Sequence, residues 1–207
     1  MFCLQKNFLS NVQCKNGHFV CDDCHQTEAY DYIENYCKNS LETDPAKLIN
    51  ALLQNPKIKM HGPEHHFLVP AVLLTCYYNY IGKSNLTAEK LTLAKNRAMN
   101  ILGGFCGFYG SCGAGIGTGI FMSIIQNSTP LSTNEWKLSN LITSCSLETI
   151  AKHGGPRCCK RDSFLAIEVA VKFLKKHLQI QIPLSKMNCH FSTMNKECKK
   201  RECKYYI

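Results

Sequence analysis

Hydrophobic residues recur along most of the chain at helical spacings, and strand patterns are weak. The clearest run follows Asp162, where apolar residues three or four positions apart share one helix face: Phe164, Ile167, Val171, Leu174 and Leu178. Other helices are predicted over 27–38, 45–52, 67–80, 87–101 and 133–152. Only residues 179–182 suggest an extended segment. The sequence therefore predicts an all-α fold.

Three of these helices have a capping pattern at their start. Asp44 precedes Pro45, which suits an N-cap followed by a first-turn proline. Ser132 and Glu135 form a capping-box pattern, and Asp162 is expected to cap the last core helix. These residues mark where the helices are predicted to begin.

A chain of 207 residues with 45% hydrophobic content can bury one ordinary core. Its first 25 residues are dense in cysteine and histidine and short of core material, and a second cysteine-rich stretch follows residue 182. We expect a metal-binding, zinc-knuckle-like module over 1–25 and a compact helical core with a glycine-rich cysteine centre over 26–182. A cysteine-rich, metal-binding tail is expected over 183–207.

The chain begins without an uninterrupted apolar stretch, and its longest apolar run, 67–74, contains a proline and is too short to span a bilayer. We expect a cytoplasmic protein that contacts no membrane. In that reducing compartment, the 14 cysteines favour metal ligation or thiol chemistry over disulfides. Three of them, Cys37, Cys76 and Cys145, stand alone in helical patterns and are expected in the core.

Metal ligation is predicted at both ends of the chain. Two cysteines separated by two residues form a zinc half-site, and the expected structural zinc set is Cys3, Cys14, Cys21 and Cys24, with His18 or His25 as a substitute for Cys3. The tail supplies three further metal ligands: Cys189, Cys198 and Cys203. These three form either a site with an open coordination position or a structural zinc site closed by His190 or a core cysteine.

Eight of the 13 glycines lie within 103–119, together with Cys106 and Cys112. Glycine permits close backbone approach, so amides around Gly113 and Gly115 can face an anion or the sulfides of an iron-sulfur cluster. No lysine follows these glycines and no strand precedes them, which excludes a Walker loop and a dinucleotide-binding fingerprint. The alternative for 114–119 is close helix packing through small residues.

Two more segments carry reactive side chains. Within 153–162, Cys158 and Cys159 are adjacent and must point apart, and their basic neighbours favour the thiolate form. We expect Cys158 to bind a cofactor together with Cys106 and Cys112. Catalysis is expected from Cys159, Lys160 and Arg161. Within 60–66, proton transfer is expected from His61, Glu64 and His65. The alternative is that this second segment only caps or packs a helix.

The formal charge of +9 is concentrated near the C-terminus. Residues 1–151 hold 11 Lys and Arg against 11 Asp and Glu, and residues 152–207 hold 13 against 4. Three explanations of this excess are open. The basic residues could bind RNA, they could neutralise anionic thiolate-metal centres, or they could form a solvated surface.

Four motifs resemble a cysteine-rich family of anaerobic bacteria and methanogenic archaea whose members carry a domain-of-unknown-function label. They read C-x-N-G-H-x-x-C-x-x-C-H, M-H-G-P-E-H-H-F-L-V-P, G-G-F-C-G-F-Y-G-x-C-G-A-G-I-G-T-G and H-G-G-P-R-C-C-K-R-D-S. The likeness covers nearly the whole chain. It implies an anaerobic cytosolic setting, which favours oxygen-sensitive clusters. Some members occur beside methyltransferase or radical-type enzymes, which implies a redox or methyl-transfer enzyme as a partner.

Together these features predict a metal-dependent, iron-sulfur enzyme of anaerobic metabolism. It would carry out sulfur transfer or reductive chemistry on a small-molecule or sulfur-carrying substrate. Zinc and an iron-sulfur cluster are the expected cofactors. The alternative is a zinc-stapled module that binds RNA or protein through its basic C-terminal surface.

Overall fold

The computed structural model describes the backbone of residues 22–207 and the side chains from residue 28 onward. Eight α-helices occupy this part of the chain: α1 (Asp22–Lys38), α2 (Pro45–Leu53), α3 (Glu64–Tyr80), α4 (Thr87–Ala98), α5 (Phe105–Phe108), α6 (Gly113–Ile125), α7 (Asn134–His153) and α8 (Cys159–Leu178). Short 3₁₀ helices lie at Ser84–Leu86, Ser192–Met194 and Lys200–Glu202. No β-strand occurs over 22–207, residues 179–182 included. The all-α class is therefore confirmed.

The predicted helices are present, but several begin earlier than expected. α1 begins at Asp22, inside the segment predicted as a knuckle. α3 begins three residues before its predicted start, and α8 begins four residues before the residue that follows its predicted cap. The predicted ligands of the knuckle lie outside the described residues: Cys3, Cys14, His18, Cys21 and the side chains of Cys24 and His25. The zinc site at this end stays a prediction.

The capping patterns had mixed outcomes. Asp44 caps α2 as predicted, since its Oδ1 accepts a hydrogen bond from the amide of Ala46, the second residue of the helix, at 2.9 Å. The capping box at α7 is wrong, because the Ser132 hydroxyl accepts from the Thr129 amide instead. The predicted cap of α8 is also wrong: Cys158 is the N-cap, and Asp162 lies inside the first turn.

α3 is the central helix of the fold. It contacts α1, α2, α4, α6 and α8, and its side chains are buried along most of its length, as expected for a helix that is apolar on all sides. Even so, no helix in the described part of the chain is both long and apolar enough to cross a membrane. The histidine segment 60–66 thus leads directly into the most enclosed helix of the protein.

α6 approaches α3 and α7 closely because it presents glycines to both. A Cβ added to Gly117 would lie 2.8 Å from Pro70 Cδ, and one added to Gly119 would overlap the Thr143 hydroxyl. Pro70 has no N–H to donate to the carbonyl four residues earlier, and the backbone of Gly117 packs against that carbonyl. Close packing of small residues, the alternative for 114–119, therefore describes α6.

The tail folds back against the helices. Tyr205 is buried and packs edge-to-face on Phe164, with ring centroids 5.1 Å apart. Its hydroxyl donates a hydrogen bond to Glu168 at 3.1 Å, and its carbonyl accepts one from the Cys189 amide at 2.7 Å. Residues 183–207 consequently share the hydrophobic core of the helices.

The isolated cysteines of the helices are packing residues. Cys37 and Cys76 are fully buried, as predicted, and Cys145 is half-buried at the edge of the core. All ten cysteines of the described side chains are free thiols. The other seven lie in or beside the candidate site.

Gly117→Ala tests the close packing of α6 on α3. The added methyl group strains the contact with Pro70, which lowers the free energy of unfolding by about 1–3 kcal/mol. The higher helix propensity of alanine raises it by up to about 1 kcal/mol. Gly103→Ala is the matched control, because a Cβ there meets no atom within 4 Å. Urea denaturation should show a net loss of stability for Gly117→Ala only. Equal stability of the two variants would contradict the packing.

Candidate functional site

The candidate site is organised by the turn between α7 and α8. Cys158 has an extended backbone, with φ −141° and ψ 98°, and Cys159 is the first residue of the helix, so their side chains leave the chain in different directions. Cys158 lines a narrow cleft against the tail. Cys159 lies near Cys112 and the amide of Gly62. The predicted divergence of the two thiols is confirmed.

The cleft beside Cys158, here called the tail cleft, is lined by four cysteines: Cys158, Cys189, Cys198 and Cys203. Its free space is about 20 Å³, roughly enough for one water-sized particle. Three of the sulfurs accept N–H hydrogen bonds: Cys189 from the Phe191 amide at 3.5 Å, Cys198 from the Lys200 amide at 3.3 Å and Cys158 from Asn195 Nδ2 at 3.6 Å. Burial raises the pKa of Cys189, and the Phe191 amide opposes that shift.

Lys160 is buried beside the tail cleft and is only 2% exposed. Its Nζ lies 4.2 Å from the centre of the Phe191 ring and donates to the Ile58 carbonyl at 3.3 Å. It takes part in none of the ion pairs formed among the described residues. Burial lowers the pKa of Lys160 to about 8, and the nearby Glu64 carboxyl and Cys158 thiol oppose that shift. A buried ammonium without an ion-pair partner favours negative charge on the neighbouring sulfurs.

A second, larger space is the glycine cavity, with a volume of about 630 Å³. Small-molecule sites usually have roughly 300–1,000 Å³. The cavity is lined by segment 104–112, by the end of α7 with the turn that follows it, and by the first turn of α8. Cys106 and Cys112 both line it, and charge comes from Arg157, Arg161 and Asp162. The cavity therefore combines two thiols with cationic and acidic groups.

Arg161 lines both the glycine cavity and the tail cleft. Its Nε donates to Asp162 Oδ1 at 2.9 Å, and both side chains are buried. Burial raises the pKa of Asp162, and Arg161 opposes that rise. Burial also raises the pKa of Cys112 to about 11, with a further contribution from Asp162, while the first amides of α6 act in the opposite direction. This buried ion pair thus lines the glycine cavity, and its arginine also lines the tail cleft.

Basic neighbours do not produce thiolates at the α7–α8 turn. Burial raises the pKa of Cys159 to about 12 and also raises that of Cys158, although Arg157 and Arg161 lie nearby. The expected lowering of these pKa values is therefore wrong. Desolvation of a buried sulfur outweighs the attraction of charges that are themselves partly solvated or already paired.

The predicted proton-transfer residues lie away from the cavity. His65 is 1% exposed, its Nε2 donates to the Lys59 carbonyl at 3.1 Å and its Nδ1 lies 3.1 Å from the Ser163 hydroxyl. Burial, and secondarily Lys160, lowers the pKa of His65 to about 3. Glu64 is buried and accepts a hydrogen bond from the Lys59 amide at 2.7 Å. Neither residue lines the cavity or the cleft.

Asn195 is a site residue that the sequence did not reveal. It is buried, and its side chain joins the histidine segment to the tail cleft: Oδ1 lies 3.3 Å from His61 Nε2, and Nδ2 donates to Cys158. Its Oδ1 also accepts a hydrogen bond from the Glu197 amide at 3.1 Å. The contact with His61 spans 134 positions, and no local pattern predicts such a pairing.

The structure groups the site cysteines differently from the sequence-based expectation. Cys158 joins the tail cysteines, and Cys159 lies near the cavity thiol Cys112. Gly113 and Gly115 are buried, and their Cα atoms pack against His66 and Leu147; the amide of Gly115 faces the Cys112 sulfur. Over the described side chains, no group of three or more His, Cys, Asp or Glu residues is placed so that it could hold a metal ion.

These features define a helical, cysteine-rich protein in which a thiol-lined cavity adjoins a four-cysteine cleft. The chain belongs to the family described as "Family of unknown function (DUF5714)", whose model matches residues 33–206. The expected membership of a domain-of-unknown-function family is thereby confirmed. No match was found among curated proteins or among solved structures.

Gly107→Ala should narrow the glycine cavity without destabilising the protein, because Gly107 lines the cavity and a Cβ there meets no atom within 4 Å. We expect a bulky maleimide to alkylate Cys112 severalfold more slowly in this variant, as measured by peptide mass spectrometry over time. Gly103→Ala is the control, since Gly103 has equal free space but does not line the cavity. Equal rates in the two variants would contradict the assignment of the cavity.

Proposed function

We propose that this protein is a cytoplasmic enzyme that uses the two thiols of the glycine cavity for sulfur transfer or reduction. The observation that carries the proposal is the presence of Cys106 and Cys112 on the wall of one cavity of small-molecule size. Thiols exchange with S–S bonds, and the guanidinium groups of Arg157 and Arg161 suit carboxylate or phosphate groups. The substrate class is a small anionic molecule that contains an S–S bond.

The first step is attack by the Cys106 thiolate on the S–S bond. A new S–S bond forms to Cys106, the substrate bond breaks, and the leaving sulfur departs as a thiolate with the bonding electron pair. In sulfur transfer, an acceptor nucleophile then takes the sulfur from Cys106 and the Cys106 thiolate is regenerated. In reduction, Cys112 passes its proton to the thiolate released in the first step and attacks the sulfur of Cys106. The Cys106–Cys112 disulfide forms, the second substrate thiolate leaves, and the two electrons come from the dithiol.

The roles of the two thiols follow from their surroundings. Burial raises the pKa of Cys112 to about 11, so this group is protonated at neutral pH and suits the second step. Cys106 lies in the short helix α5, next to exposed residues such as Phe108, and suits the first attack. The free thiols of the described chain are consistent with a reducing compartment.

An iron-sulfur cluster is the alternative use of the same thiols. The ligands would be Cys106, Cys112 and Cys159, which lie near one another, and a bound cluster would supply electrons to a molecule in the cavity. The amide of Gly62 beside Cys159 and the first amides of α6 beside Cys112 support such a role, because N–H donors to sulfur tune clusters of this kind.

Cys106→Ser tests the proposed chemistry. Polysulfide donates sulfur to a reactive cysteine, cyanide then removes it as thiocyanate, and thiocyanate formation is followed by colorimetry. We expect Cys106→Ser to lower the initial rate at least tenfold, because the thiolate is the nucleophile. Cys145→Ser, a half-buried thiol outside the cavity, should retain the wild-type rate. A wild-type rate for Cys106→Ser would refute the assignment.

The same preparations, purified without oxygen, decide between free thiols and a cluster. A cluster requires iron and acid-labile sulfide that are lost together in Cys106→Ser and Cys159→Ser. The absence of both from the wild-type protein would remove the cluster version and leave the dithiol version.

A further inference from the structure

The tail cleft brings together four sulfurs from two distant parts of the chain. Cys158 comes from the start of α8, and three cysteines come from the tail: Cys189, Cys198 and Cys203. Four cysteines are the ligand set of tetrahedral zinc sites. Each of the four thiols is half-buried, and Cys189 and Cys203 also pack against the edge of the hydrophobic core.

The size of the tail cleft indicates which kind of metal centre it could hold. The free space is only about 20 Å³, against about 630 Å³ in the glycine cavity, which favours a single ion over a larger group. As the side chains stand, no three of these groups could hold a metal ion. Each sulfur moves by rotation about one side-chain bond, and binding of an ion requires such rotations.

Backbone amides already point at the sulfurs of the cleft. The amide two residues after Cys189 and the amide two residues after Cys198 each donate to the preceding sulfur, so one local arrangement occurs twice. Lys200 adopts a φ of +50°, a left-handed conformation that is uncommon outside glycine. Hydrogen bonds to ligand sulfurs from surrounding groups are a regular feature of thiolate metal sites.

The charge around the cleft fits an anionic centre. Four thiolates around one divalent ion leave a net negative charge. The buried ammonium of Lys160 forms no ion pair with the described residues and lies on the Phe191 ring, which itself lines the cleft. Arg161 lines the cleft as well. A metal-thiolate centre would add negative charge beside the buried lysine, in addition to the charge of the nearby Glu64 carboxyl.

We propose that Cys158, Cys189, Cys198 and Cys203 bind one zinc ion in a closed structural site that fastens the tail to the start of α8. The site goes beyond the proposed sulfur chemistry and fixes Arg161, whose side chain borders the cavity. It assigns Cys158 as the core cysteine that completes the tail set. Cys159, its neighbour in the sequence, takes no part in it.

Metal analysis of the full chain and of single serine variants tests the site. Cys158→Ser and Cys198→Ser should each lose one equivalent of zinc relative to the wild type, and Cys159→Ser should lose none. Because any zinc held by residues 1–25 is common to all the proteins, the difference reports on the tail cleft alone. Loss of zinc from Cys159→Ser to the same extent as from Cys158→Ser, or full retention in both ligand variants, would overturn the proposal.

Cobalt replacement covers the case in which the serine variants fail to fold. The cobalt-loaded wild type should show the sulfur-to-cobalt charge-transfer bands and the intense d–d bands of tetrahedral thiolate coordination. Cys158→His should retain a tetrahedral spectrum with a weaker charge-transfer band, because one of its sulfurs is replaced by nitrogen. An identical spectrum for Cys158→His, with wild-type charge-transfer intensity, would contradict ligation by Cys158. Failure of this test would not alter the rate expected for Cys106→Ser.

Discussion

Two adjacent residues at the first turn of a helix cannot direct their side chains to the same point, and this constraint shapes the whole candidate site. Cys158 ends the extended turn after α7, and Cys159 begins α8. One thiol therefore faces the tail and the next lies on the side of Cys112. Arg161, less than one turn further on, borders both spaces. The first turn of α8 thus joins a proposed structural metal site to a proposed reaction cavity.

Glycine has two separate uses on the two sides of Cys112. In α6 the glycines bring helix backbones together, as the contact of Gly117 with Pro70 shows. Before Cys112, at positions such as Gly107, missing side chains leave open space that becomes part of the cavity. Cys112 lies at the start of the closely packed α6, and the open space beside it belongs to the cavity. The same residue type therefore produces both the closely packed side and the open side of the site.

The fold class and most helices were predictable because apolar spacing records which face of a helix is buried. The capping of α8 was not, because Asp162 pairs with Arg161 in the interior instead of capping the helix. The divergence of Cys158 and Cys159 followed from their adjacency, but the partner of each thiol depends on where the tail folds. The raised pKa of Cys159 also escaped prediction, since the sequence shows its basic neighbours and not its burial.

Anomalous diffraction from crystals of the full chain, measured on both sides of the zinc absorption edge, tests the four-cysteine centre most directly. We expect a zinc peak in the tail cleft. Four sulfurs, from Cys158 and the three tail cysteines, should lie at about 2.3 Å from the ion. A tail cleft without a peak in protein that contains zinc elsewhere, or a peak bound by Cys159 in place of Cys158, would contradict it.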